Sequence, residues 1–110
     1  TMKVIDLEAH FYTKDYIDYL RSRKAPPREE VYEKNIGLWM TSDLRVPRSF
    51  QLEDKLLDVG EKRIAEMDEA GVSIQVLSLA VPGCEQFDAS DGTAIARQAN
   101  LRPKACIGMA

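Results

Sequence analysis

The chain has 110 residues, which is enough for one domain. Hydrophobic residues make up 45% of it and charged residues 30%, as in an ordinary soluble globular protein. The net charge of −3 predicts neither a nucleic-acid partner nor binding to an anionic membrane.

Targeting signals and cysteine spacing also narrow the class of protein. No apolar run approaches the roughly 20 residues needed to span a bilayer, and the first residues lack the pattern of a signal peptide. Cys84 and Cys106 do not have the CxxC spacing of a metal or redox motif. We therefore expect a cytoplasmic protein with two reduced cysteines and no membrane partner.

The first apolar stretch, residues 3–8, is typical of a buried strand in a parallel sheet. It leads to Glu8 and His10, which should project from the same side because alternate side chains of a strand share a face. His10 is the only histidine. A carboxylate and an imidazole suit zinc, manganese or magnesium. The alternatives are a solvated glutamate and a hydrogen-bonded core histidine, and Asp6 stays open as a further ligand.

The next element is a helix over residues 13–23, which Thr13 can cap. The run Lys24-Ala25-Pro26-Pro27 ends it, because proline lacks an N–H donor and restricts the residue before it. Residues 24–49 have no strong periodicity and are predicted to form an irregular insertion, with one short hairpin around Asn35-Ile36-Gly37.

Regular periodicity returns at Ser49 and predicts one helix to about Ala70, bent at Gly60 and ended by Gly71. A strand over 72–80, a helix over 91–100 and a strand over 105–110 follow. Alternating strands and helices indicate an α/β fold with about three parallel strands. Functional sites in such sheets lie beyond the carboxyl ends of the strands, where Glu8, His10 and the turn after Ala80 would be.

Several segments together resemble one family of enzymes. They are the strand that ends in Glu8-Ala9-His10, Leu56-Leu57-Asp58-Val59-Gly60-Glu61-Lys62-Arg63, Met67-Asp68-Glu69-Ala70-Gly71-Val72, Leu77-Ser78-Leu79-Ala80-Val81-Pro82-Gly83, Ala94-Ile95-Ala96-Arg97-Gln98-Ala99-Asn100 and Ile107-Gly108-Met109-Ala110. In this order they resemble the N-terminal part of the metal-dependent decarboxylases of the amidohydrolase superfamily, which include the aminocarboxymuconate-semialdehyde, 2,3-dihydroxybenzoate, gamma-resorcylate and 5-carboxyvanillate decarboxylases. The family helix normally continues past Ala99-Asn100, so the resemblance also predicts that residues are missing between positions 100 and 101.

The resemblance implies that residues 1–110 are the N-terminal portion of a (β/α)₈ barrel that binds one divalent ion, zinc or manganese, with magnesium as a further option. It assigns Glu8 and His10 as metal ligands, and Glu-x-His favours the decarboxylases over the amide-cleaving enzymes. It also implies substrate contacts for Arg48 at the carboxylate and Ala80 at the pocket floor. Trp39, in the same irregular stretch as Arg48, could form a wall of a pocket for an aromatic substrate. The alternatives are a surface arginine, an ordinary strand-end alanine and a core tryptophan.

The activity implied is non-oxidative decarboxylation of a hydroxylated benzoate by a longer, dimeric or tetrameric carboxy-lyase of aromatic compound catabolism. No catalytic residue is assigned here, because the family's aspartate proton donor and its second histidine would lie outside this chain. A hydrolase or hydratase of the same superfamily and an inactive truncated fragment remain the alternatives.

Overall fold

The computed structural model describes residues 3–101 and the backbone of residues 105–107. The described part contains two three-stranded sheets and four helices. The strands are β1 (Ile5–Phe11), β2 (Arg28–Val31), β3 (Ile36–Trp39), β4 (Arg45–Arg48), β5 (Ile74–Leu79) and β6 (Ala105–Ile107). The helices are α1 (Lys14–Ser22), α2 (Phe50–Leu57), α3 (Glu61–Ala70) and α4 (Ala89–Ala99).

The first sheet has the strand order β1-β5-β6, and its first two strands are parallel, as the sequence predicts. The pairing of β1 with β5 is interrupted between Asp6 and Ala9. From Asp6 to Ala9 there are three residue steps on β1, but their partners Gln75 and Leu77 are only two steps apart on β5. β1 therefore carries one extra residue, a β-bulge. The carboxyl ends of the two strands therefore stay aligned, with Phe11 opposite Leu79.

The prediction of a third parallel strand is wrong, because β6 pairs antiparallel with β5. The direction follows from where α4 ends. The Thr13 hydroxyl, just beyond the carboxyl end of β1, donates to Gln98 Oε1 at 2.9 Å, and Ala99 packs with Ala9 and Phe11. α4 therefore ends at the carboxyl edge of the sheet, which is the edge where an antiparallel neighbour of β5 begins. Residues 108–110, predicted to continue this strand, lie outside the described residues.

The second sheet lies within the stretch that was predicted to be irregular, so that prediction is wrong. Its order is β2-β3-β4 and all its pairs are antiparallel. The predicted hairpin is confirmed, and Tyr32 N donates to Asn35 O at 2.8 Å across its loop. Ile36 and Leu38 are fully buried. Strands of four residues carry too little alternation to stand out from a loop in the sequence.

The helix termini follow local capping chemistry. The Thr13 side chain accepts from the Tyr16 N–H at 3.1 Å, which confirms the predicted N-cap of α1. The single helix predicted from Ser49 to Ala70 is instead two, α2 and α3, separated around Gly60, whose N–H donates to Asp58 Oδ1. Gly71 ends α3 with a φ of 77°, a conformation that favours glycine and that the sequence predicts.

Two apolar clusters pack the helices against one face of the β1–β5 pair and around its carboxyl end. The first contains Ala9, Phe11, Met67, Leu77 and Ala99. The second contains Tyr12, Tyr16, Ile17, Leu20, Ala80 and Phe87. Other apolar side chains of the sheet are exposed, including Ile5, Leu7 and Val76. The described residues therefore cover only one face of this sheet. No helix among them is long and apolar enough to cross a membrane.

Candidate metal and substrate site

The register of the two parallel strands gives the face on which His10 lies. Ala9 is opposite Leu77, and both are buried against the helices. His10 is opposite Ser78, and both are exposed. Because side chains alternate along a strand, His10 and Ser78 share the face of the sheet that the described helices leave open.

The bulge directs Glu8 to this same face. Asp6 is opposite Gln75 and Ala9 is opposite Leu77, so Leu7 and Glu8 together occupy the position opposite Val76. Leu7, Glu8 and Val76 are all exposed. Glu8 and His10 therefore both lie on the open face near the carboxyl end of β1, in agreement with the prediction from their spacing.

Asp6, which the sequence leaves open as a third ligand, lies on the other face with Gln75. Its Oδ1 accepts from the Glu8 N–H at 3.0 Å, and its Oδ2 accepts from Gln75 Nε2 at 3.5 Å. The bond to the Glu8 N–H lies within the bulge, and the bond to Gln75 joins β1 to β5. Within residues 3–101, no group of three or more His, Cys, Asp or Glu side chains could hold a metal. Glu8 and His10 supply oxygen and nitrogen donors that suit a divalent ion, but they are only two ligands.

Arg63 is a residue of this site that the sequence analysis did not single out. Its Nη2 donates to the His10 carbonyl at 2.9 Å and to the Lys55 carbonyl at 3.1 Å. Its Nε donates to the Asp58 carbonyl, and its Nη1 donates to Gln75 Oε1 at 3.3 Å. One guanidinium thus joins β1, β5 and the end of α2.

The chemistry of a helix C-terminus explains why an arginine lies here. The last carbonyls of α2 have no partner within the helix, and the Lys55 carbonyl is one of them. A cation at this end also opposes the partial negative charge of the helix dipole. The sequence carries one signal for this contact, because Arg63 is a basic residue that closely follows the helix break at Asp58 and Gly60. Spacing alone does not indicate that Arg63 reaches His10.

A cleft of about 760 Å³ lies between β1, α2 and α3. Because β1 is at the edge of its sheet, His10 borders this cleft as well as the open face, whereas Glu8 does not line the cleft. Most of the other lining side chains are charged or polar: Asp6, Gln51, Asp54, Lys55, Asp58, Lys62, Arg63, Glu66 and Gln75. Both signs of charge occur in it, so the cleft does not favour an anion or a cation by charge alone.

Arg48 and Ala80 both lie beside Tyr12, just after the carboxyl end of β1. Arg48 Nη1 donates to the Tyr12 hydroxyl at 3.0 Å, and that hydroxyl donates to the Val81 carbonyl at 2.8 Å. Ala80 is buried in the same cluster as Tyr12, and its N–H donates to the Phe11 carbonyl at 2.9 Å. Burial raises the pKa of Tyr12 to about 12, against a smaller opposing effect of the Arg48 charge. Tyr12 is therefore a neutral phenol that holds Arg48 next to the turn after β5.

Trp39 is not near these residues in the second sheet. It is opposite Arg45 on β4, whereas Arg48 is opposite Ile36 at the other end of the same strand pair. Three residue steps along a strand separate them by about 10 Å. The Arg28 guanidinium stacks over the Trp39 ring at 5.5 Å, and Trp39 Nε1 is buried without a hydrogen-bond partner among the described residues. The contacts of Trp39 are those of a packing residue.

Comparison with solved structures shows which proteins share the fold of this chain. No protein-family model and no curated protein matches the sequence. The structure of 5-carboxyvanillate decarboxylase from Novosphingobium aromaticivorans, complexed with manganese and 4-hydroxy-3-methoxy-5-nitrobenzoic acid, is similar over 89% of this chain, with 30% identity and a TM-score of 0.64. A mutant of that enzyme with the same metal and ligand gives the same values.

The chain resembles the amidohydrolase-superfamily decarboxylases. IDCase from Metarhizium anisopliae, in its apo form, has the same fold over 89% of this chain, with a TM-score of 0.69 and 24% identity. The chain spans less than a third of each of these structures, 28% of the carboxyvanillate enzyme and 29% of IDCase. The resemblance to these decarboxylases thus confirms the identification made from the sequence. The described residues form two three-stranded sheets and do not close a barrel.

Proposed function

We propose that this chain is the N-terminal part of a metal-dependent decarboxylase that acts on a hydroxylated aromatic carboxylic acid. The observation that carries the proposal is the likeness to 5-carboxyvanillate decarboxylase over 89% of this chain, because that structure contains manganese and a hydroxylated nitrobenzoic acid. The open face of the β1–β5 pair supports it independently. That face bears Glu8 and His10 at its carboxyl end, where barrel enzymes carry their sites.

In this proposal Glu8 and His10 hold one divalent ion, manganese or zinc, together with ligands from the rest of the protein. When bound, the ion orients the substrate and stabilises negative charge on its oxygens. Arg48 contacts the substrate carboxylate, since its planar guanidinium can pair with two oxygens and Tyr12 uses only one of its amino groups. Ala80 leaves room for a planar ring beside Tyr12.

Trp39 is a weaker candidate for the substrate pocket, because it lies at the far end of the second sheet from Arg48. In this proposal the proton that replaces the departing carboxyl group comes from an aspartate outside this chain. We also propose that the intact enzyme is a cytoplasmic homodimer or homotetramer, and that residues are missing between positions 100 and 101.

Incubation of the full-length protein with manganese and a panel of dihydroxybenzoates tests this function. Carbon dioxide and the corresponding phenol should appear together. The Glu8→Gln variant should lose both metal binding and activity, because an amide oxygen is a much poorer ligand than a carboxylate. Glu33→Gln, at an exposed glutamate of the β2–β3 loop, is the matched control and should retain both.

Two outcomes would contradict the proposal in different ways. Release of an amine or alcohol from amide or ester substrates, without carbon dioxide, would indicate a hydrolase of the same superfamily. Unchanged manganese content in Glu8→Gln would show that the metal site is elsewhere, even if the protein is a decarboxylase.

A further inference from the structure

The parallel register sets Ser78 directly across from His10, on the same face of the sheet. Ser78 Oγ and His10 Nδ1 are 3.2 Å apart. This distance is that of a hydrogen bond, and either atom could donate depending on the tautomer of the imidazole. The direction of this bond decides which ring nitrogen keeps a lone pair.

We infer that Ser78 is a positioning residue that keeps the proton of neutral His10 on Nδ1 and leaves the lone pair of Nε2 free for the metal. The inference rests on the proposed function, because it gives His10 the role of a ligand. It concerns a residue that neither the spacing of Glu8 and His10 nor the comparisons assign to the site.

The Ala9 carbonyl is a second acceptor within reach of the Ser78 hydroxyl. Ser78 Oγ lies 3.5 Å from this carbonyl oxygen, which can only accept. A serine hydroxyl has one proton to donate, and its oxygen can accept at the same time. If the proton points to the Ala9 carbonyl, Nδ1 must supply the proton of the second bond. The resulting chain runs from His10 through Ser78 to Ala9.

The two strands that carry this series of hydrogen bonds are held in place by packing and by other hydrogen bonds. Ala9, which precedes His10, and Leu77, which precedes Ser78, are buried against the helices and anchor the backbone beside each side chain. Arg63 also donates to the His10 carbonyl at 2.9 Å. The ring of His10 therefore lies on a rigid frame, and Ser78 is the side-chain group seen to bond it among the described residues.

The chemical consequence is the orientation of a single ligand atom. Histidines that bind metals usually donate their second ring N–H to a neighbouring acceptor, which fixes the ring and its tautomer. Loss of such an acceptor typically weakens metal binding by about 10–100-fold. Ser78 would supply that acceptor here, and the open side of the ring is where the ion would bind.

The first test reads the tautomer directly, without metal. The full-length protein is labelled with ¹⁵N-histidine and studied at alkaline pH by long-range ¹H–¹⁵N correlation, with His10 assigned from the signal that His10→Gln lacks. Wild-type His10 should be protonated at Nδ1. Ser78→Ala should lower that population, and Ser78→Thr, which keeps the hydroxyl, should restore it.

The second test measures affinity for manganese by electron paramagnetic resonance of the free ion. Ser78→Ala should bind manganese about 10–100-fold more weakly than wild type. Ser78→Thr should bind nearly as well as wild type, and Ser90→Ala, at an exposed serine of α4, should be unchanged.

The outcomes separate this inference from the proposed function. A wild-type His10 protonated at Nε2, or equal manganese affinity of Ser78→Ala and wild type, would overturn the role of Ser78. If wild type binds no manganese, the proposed metal site fails, and the role of Ser78 fails with it whatever the tautomer is. If wild type binds manganese but the tautomer of His10 is the same in Ser78→Ala, only the inference about Ser78 is refuted.

Discussion

Replacing Arg63 with alanine should destabilise the protein by about 3 kcal/mol, because one guanidinium satisfies four acceptors from different elements. A hydrogen bond to a charged group contributes about 1.5–3 kcal/mol on average. The full sum does not apply, since Arg63 is half-exposed and water can replace part of its bonding in the variant. The carbonyls of Lys55 and Asp58 would keep some hydration, whereas the His10 carbonyl would lose its link to α3.

Urea unfolding of the full-length protein measures this change as a shift of the midpoint with an unchanged slope. Arg97→Ala, at an exposed arginine of α4, is the matched control and should change the free energy of unfolding by less than about 0.5 kcal/mol. Arg63→Lys should lie between, because an ammonium keeps the charge but not the fork of donors. A loss below about 0.5 kcal/mol in Arg63→Ala would refute the argument that this side chain joins β1 to the end of α2.

Three further substitutions test local features of the fold. Thr13→Val removes the cap of α1 and the bond to Gln98, and should cost about 1–2 kcal/mol in urea unfolding; a neutral result would contradict the cap. Gly71→Ala should cost about 1 kcal/mol, because its φ of 77° disfavours a side chain, and thermal unfolding would show it. Tyr12 has a pKa raised to about 12, so its stabilising contribution is complete below about pH 10 and is lost as the pH rises through 12. Tyr12→Phe should lack this part of the alkaline loss of stability, and an identical pH profile would refute the assignment.

The sequence predicts the parts of the fold that depend on local signals. The two parallel strands, the cap at Thr13 and the glycine at position 71 follow from apolar runs and from side chains with specific conformational preferences. The second sheet is missed because each strand has only four residues. Glu29, on the edge strand β2, is buried, which raises its pKa, while the ion pair with Arg21 at 3.3 Å opposes that shift. A buried glutamate in a strand resembles a loop residue when only its type is known.

The candidate site also has parts that the sequence predicts and parts that it does not. The common face of Glu8 and His10 follows from a spacing of two, which the structure preserves. The contributions of Ser78 and Arg63 depend on contacts across 68 and 53 positions of sequence, and no local pattern indicates them. The reversed direction of β6 is also non-local, since it depends on where α4 ends relative to Thr13.

The extra residue in β1 makes the two halves of that strand tolerate changes in length differently. The position of His10 is set by the buried residues on either side of it, Ala9 and Phe11, and not by the strand before them. A deletion at Leu7 would remove the bulge and leave a regular strand with Glu8 opposite Val76. An insertion between Ala9 and Phe11 would instead exchange the buried and open faces for the residues on one side of it and turn a polar side chain into the core. Natural or engineered length variation should therefore accumulate before Glu8 and be excluded after it.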